Sequence, residues 1–252
     1  MSAVDLNRQI AILAPSVDPK AALRLGETYS AEITARDPNP HDAESCRLLS
    51  LAATEQDPPD FALATQWRDR ALDLFTRIGW YEGIAAVLMA KAFIALAKRN
   101  DDFPRGKTLD VIEGSEDAVD LMDEILPFLQ RDPTGITVGE LSPSHAVLSR
   151  WYHEKRGFFL LALDRVGEAR ESYELAAEAA AGNPRGTVKV RLGRALVDYV
   201  AGSHDTALPD TRNAVDDARR LGPGSQDLVE YGERNIAVME EDGHDLRPYE
   251  IL

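Results

Sequence analysis

The chain has 252 residues, 44% of them hydrophobic, which suffices for one large buried core or two small ones. Its 43 acidic and 28 basic side chains give a formal charge of −15, which argues against a surface built to neutralise nucleic-acid phosphates. Cys46 is the single cysteine, so no intrachain disulfide can form and a reducing compartment is expected. It sits in a helix-forming stretch beside Leu48 and Leu49, where an inert, buried thiol is the default reading. Ala and Leu abound and long Val/Ile/Thr runs are missing, a balance that favours helix over sheet. The N-terminus lacks the basic n-region of a secretory signal, and no apolar run reaches the roughly 20 residues needed to span a membrane. The expectation is a cytoplasmic protein that touches neither membrane nor nucleic acid.

In chain order, Ser2 to Ala14 predicts a short helix with Leu6, Ile10 and Leu13 on one side. Asp18-Pro19 caps the next, Pro19 to Arg36, with Leu23, Gly26, Tyr29 and Ile33 as its apolar stripe. After the break Asp37-Pro38-Asn39-Pro40, a third helix is expected from Asp42 to Gln56. Asp57-Pro58-Pro59-Asp60 breaks the chain again and caps a fourth, Phe61 to Ile78, which Gly79 ends with a left-handed cap. Trp80 to Lys98 is apolar on more than one face, as in a helix that lies between neighbours. Residues 99–114 are a polar insertion, within which Thr108 to Ile112 can form a short ordered turn. Ser115 to Arg131 reads as one helix, and residues 132–143 as a second long connection.

Ser144 caps a helix carrying Leu148, Trp151, Lys155, Phe158 and Ala162. The short turn Asp164-Arg165-Val166-Gly167 then reverses the chain into a helix that ends near Ala181. Gly182-Asn183-Pro184 opens another pair, joined by Gly202-Ser203-His204-Asp205, with Pro209 expected in the first turn of the returning helix. Gly222-Pro223-Gly224 separates a terminal helix, Ser225 to Glu241, whose charged run suits a capping element with one solvated face. The whole reads as about ten or eleven helices in a single domain covering residues 1–252.

Within the pair around residue 165, Gly157 lies twelve residues before Ala169, followed by Tyr173, Ala176 and Ala177. This order resembles the tetratricopeptide repeat: a small residue midway along the first helix, then small, aromatic and small residues along the second. Leu192-Gly193 followed by Leu196 matches the first-helix signature again, and Ala71, Phe75 and Ile78 repeat the second-helix order in a phrase similar to those of bacterial helical regulators. The resemblance implies an all-α, right-handed superhelical solenoid of antiparallel hairpins whose first helices line a concave groove. With Gly157 setting the register, it places Trp151, Glu154, Phe158 and Leu161 on that groove, with Val190, Arg194 and Val197 from the next pair and Met89 or Lys91 from the helix after Gly79. Trp151 and Phe158 are equally compatible with a place in the core.

Motifs for chemistry are missing from the sequence. The five histidines make no i, i+4 pair with a nearby carboxylate, and His145 and His153 are eight residues apart, two turns along a helix. Asp57, Asp60, Asp101 and Asp102 flank turns, where Asp caps helices. No nucleophile elbow, Gly-rich Lys loop or Cys/His cluster occurs. No catalytic residue, metal or cofactor is expected. The run Asp110, Glu113, Glu116, Asp117, Asp120, Asp123, Glu124 has no basic residue interleaved, so it is either a solvated face or a landing site for a basic partner segment. The expected function is an adaptor that docks a protein or peptide in its groove, the alternative being a regulatory module that binds a peptide or small ligand and controls a separate effector.

Overall fold

The structure, a computed structural model, describes residues 1–14, 17–99, 113–138 and 144–241. Among these residues the chain is helical throughout, with no strand. The helices are α1 (Ala3–Leu13), α2 (Pro19–Ala35), α3 (Pro40–Thr54), α4 (Phe61–Ile78), α5 (Tyr81–Ala97), α6 (Ser115–Asp123), α7 (Leu126–Leu129), α8 (His145–Ala162), α9 (Val166–Ala179), α10 (Pro184–Val200), α11 (His204–Arg220) and α12 (Gln226–Glu240). Local chemistry sets most of these bounds. Asp18 accepts from the Ala21 N–H and Asp60 from the Leu63 N–H, each at 2.9 Å, so both act as N-caps. Gly79 ends α4 at φ +74°, and Asp164 turns the chain between α8 and α9 at φ +58°, a conformation Asp tolerates.

Three expectations need correction. The third helix starts earlier than Asp42, because Asn39 caps it and Pro40 occupies its first position. The stretch 115–131 is two helices, α6 and α7. Pro127 has no N–H to continue the ladder, so the chain closes i→i−3 bonds at Ile125 and Phe128 and restarts. Pro209 is the sixth residue of α11 and so lies inside the helix rather than in its first turn. The expected turn at 108–112 lies outside the described residues.

The chain clusters into two compact units, residues 1–94 with 121–148 and residues 95–120 with 149–252. In the first unit α3 is the central helix, packed against α1, α2 and α4. Gly26 of α2 makes this approach possible, since a Cβ there would sit 2.5 Å from Leu49 Cδ1. Cys46 is fully buried on α3, and burial pushes its thiol up to about 12, consistent with an inert core residue. Phe75 packs edge-on against Trp80, with ring centroids 5.1 Å apart, and fills the space left by Gly83 on α5.

In the second unit α10 packs against α9, α11 and α12. Val188, Leu192, Ala214, Val215, Leu228 and Tyr231 form one buried apolar cluster among α10, α11 and α12. Ion pairs join the helices around it: Arg170–Asp198 from α9 to α10, Arg185–Asp227 from α10 to α12, and Arg212–Glu240 and Arg219–Glu233 from α11 to α12, each at 2.5 Å. Partly exposed pairs such as these contribute roughly 0–1 kcal/mol each, so burial of the apolar cluster is the larger stabilising effect.

Candidate functional site

The groove candidates of the second unit separate by burial. Phe158 and Leu161 are buried, at 2% and 4% exposure, and Val190 and Val197 are buried on α10. An aromatic ring at 2% exposure offers no surface to a partner, so Phe158 is a core residue in this conformation. Trp151 is half-buried and Arg194 is exposed. Arg194 makes no ion pair among the described residues, whereas Arg185, Lys189 and Arg191 on the same helix are each paired. In the first unit Met89 is buried, and Lys91 Nζ lies 3.3 Å from Glu124 Oε2.

Glu154 is the enclosed charge of the set, and its partners escaped the sequence reading. Its Oε1 accepts from Arg150 Nη1 at 2.6 Å, and its Oε2 lies 3.3 Å from Lys189 Nζ. Arg150, Glu154 and Lys155 are all buried, at 7%, 3% and 6% exposure. Arg150 folds back over the first turn of α10, where a Cβ on Gly186 would lie 3.1 Å from its Cδ. Burial holds the Lys155 amine well below the ordinary lysine range, with Lys189 and Arg150 pushing the same way and Glu154 opposing. Lys189 is lowered for the same leading reason. Glu154 and Lys189 are 35 residues apart on α8 and α10, and their side chains meet because these two helices come together there.

In the acidic run, Glu116, Asp117, Asp120, Asp123 and Glu124 are exposed. It is not bare, however. Arg99 pairs with Asp117, and Lys91 with Glu124, so tertiary structure supplies cations that the local sequence lacks. Glu116 and Asp120 make no ion pair among the described residues. Asp110 lies outside the described residues.

No protein-family model matches the chain, and no curated protein matches it. What the arrangement can do is therefore argued from its own geometry. His145 Nε2 lies 2.8 Å from the Leu129 carbonyl oxygen, a structural tie. His153 is pushed down to about 4 by burial and by Arg156, so its imidazole is neutral near pH 7. Among the described residues no three His, Cys, Asp or Glu side chains converge to hold a metal ion. No helix there is long and apolar enough to cross a membrane.

One further constellation belongs to the first unit. Glu82, in the first turn of α5, is buried and takes two bonds from Thr134. The Thr134 N–H donates to Oε1 at 2.8 Å and the hydroxyl to Oε2 at 2.7 Å. Three residues earlier, the Arg131 guanidinium stands 4.3 Å from the centroid of the Tyr81 ring.

Proposed function

We propose that the chain is a tetratricopeptide-like scaffold, a right-handed array of helix hairpins that holds a protein or peptide partner and does no chemistry of its own. The observation that carries this reading is the Tyr173 ring on α9. Cδ2 and Cε2 on one edge lie against Gly157 of α8, where a Cβ would come within 2.9 Å, and Cδ1 and Cε1 on the other lie against Gly193 of α10. One aromatic thus wedges two successive first helices at their glycines, with Ala169 and Ala176 buried on the same helix. That is the packing logic by which hairpins stack into an array. A cytoplasmic location fits the buried thiol and the acidic composition.

The open surface of such an array includes Arg194 and the exposed part of Trp151, with Glu116 and Asp120 available to a basic segment. A photo-crosslinking residue placed at Arg194 tests the reading in the native cell, with Leu175 on α9 as the control position. A discrete protein adduct at position 194 and none at 175 is the expected result. Equal, diffuse labelling at both positions would remove the adaptor reading. The buried charges of Arg150, Glu154 and Lys155, with half-buried Lys189 beside them, favour a second reading, a regulatory module with a small ligand, since perturbed groups cluster at functional sites. Native mass spectrometry of the purified chain, showing a retained small molecule, would support it.

A further inference from the structure

Helix α5 is apolar over most of its surface: Ile84, Ala85, Val87, Leu88, Ala92 and Leu96 are all buried. Its first turn nevertheless carries a buried carboxylate, Glu82, and burying an ionised group is costly unless donors meet it. Both donors come from one residue, the N–H and the hydroxyl of Thr134, on a segment with no helix or strand from 131 to 138. The same segment lays Arg131 over Tyr81 at 4.3 Å and over Phe128 at 6.0 Å. Val138, at its far end, is buried. An irregular stretch of chain is therefore held as a bound peptide is held: a backbone N–H and a hydroxyl on a buried acceptor, a cation on an aromatic face, and a buried apolar residue further on.

We propose that Tyr81 and Glu82 form a peptide seat, that residues 131–138 occupy it in cis, and that a partner segment with Arg or Lys three positions before Thr or Ser displaces them. The chemistry restricts the occupant. Only Ser or Thr offers a hydroxyl beside its own N–H to the two oxygens of one carboxylate, and only a cation gains from the Tyr81 face. The inference rests on the scaffold reading and names the class of segment the scaffold takes. Occupancy in cis lowers the apparent affinity for such a segment by the fraction of time the seat is free.

The test uses the full chain and a labelled synthetic peptide with the sequence of residues 131–138. An Arg131→Ala/Thr134→Val variant, with helix content unchanged by circular dichroism, is expected to bind the peptide at least about tenfold more tightly than the unaltered chain. Adding Glu82→Gln, or replacing the peptide's Thr by Val, should remove the gain. Binding no tighter than the unaltered chain, or binding insensitive to Glu82→Gln, overturns the proposal. If the variant does not fold, hydrogen exchange at the Thr134 amide of the unaltered chain decides. Exchange by local opening below the global unfolding energy supports a displaceable segment, and exchange through global unfolding alone overturns it. A negative result here with a discrete adduct at position 194 would leave the scaffold standing without this seat, so the two failures are distinguishable.

Discussion

Gly157 and Gly193 lie on different helices, 36 residues apart, and press on opposite edges of the same Tyr173 ring. Neither position has room for a methyl group unless the ring moves, and a ring move that relieves one glycine crowds the other. Gly157→Ala and Gly193→Ala should each destabilise by about 1–3 kcal/mol through overpacking. Because both act through Tyr173, their effects should not add, and thermal melts of the two single variants and the double variant measure the coupling. Strict additivity, or melts like the parent's, would show that the ring is not shared.

The small and aromatic residues at these positions were legible in the sequence, but that one Tyr173 ring lies against both Gly157 and Gly193 was not, because it depends on how α8 and α10 sit about α9. Helix α4 was legible to the residue, since Asp60 and Gly79 mark its two ends chemically. The burial of Arg150, Glu154 and Lys155 was not. Charges on a helix read as solvated until the element that covers them is known, and the cover here includes α10, more than 20 residues further on. The break at Pro127 was missed because the apolar spacing of Met122, Ile125 and Leu129 continues across it. The Glu82–Thr134 tie joins residues 52 apart across two connections, so no local pattern announces it.

Glu154 pairs with both Arg150 and Lys189, so removing its charge leaves a buried and a half-buried cation facing each other. Glu154→Gln should cost about 3–5 kcal/mol, the usual result of breaking a buried pair from one side. Replacing Arg150, Glu154 and Lys189 together by apolar residues of similar volume should cost much less. Urea unfolding of the single and triple variants makes the comparison. A triple variant as unstable as Glu154→Gln would mean that the charges contribute more than their own desolvation removes.

Lys155 gives a pH dependence with a defined sign. Its folded-state pKa lies well below the ordinary value of 10.5, chiefly because of burial, so the folded chain releases this proton at lower pH than the unfolded chain does. Between those two values the unfolded chain binds more protons, and stability rises with pH across that window. Lys155→Met removes the titration and should flatten this part of the curve, leaving a smaller slope from Lys189, which is lowered in the same direction. Unfolding free energies over a pH series ending just below 10.5 read the difference directly. Parallel curves for parent and variant would mean that Lys155 keeps its proton when folded.

Charge reversal on α6 separates solubility from docking. Asp117 and Glu124 already face Arg99 and Lys91, so Glu116 and Asp120 carry the open negative charge on this stretch. Glu116→Lys/Asp120→Lys should leave stability within about 0.5 kcal/mol, as expected of exposed positions. If a basic segment lands here, the pair should slow association and weaken its salt dependence, because screening acts within about 8–10 Å at physiological ionic strength. Stopped-flow association at two salt concentrations tests this, and unchanged rates would reduce the acidic face to a solubility feature.

The last prediction separates the groove candidates by what each loses. Phe158 is fully enclosed, so Phe158→Ala should cost about 3–5 kcal/mol of stability through the cavity it leaves, and partner binding should fall only as the folded fraction falls. Arg194 is exposed and makes no ion pair among the described residues, so Arg194→Glu should melt within about 0.5 kcal/mol of the parent. If the partner meets α10 there, that change should weaken binding by roughly 2 kcal/mol, as loss of an interface arginine does. Trp151 is half-buried and should show both effects in smaller measure. Melting and affinity are measured on all three variants with the partner trapped at position 194. Should Phe158→Ala keep its melting point and lose the partner, the ring must turn outward on binding, and its buried position would describe only the unliganded chain. Should Arg194→Glu bind as the parent does, α10 is not the docking helix and the proposed contact at Arg194 is removed.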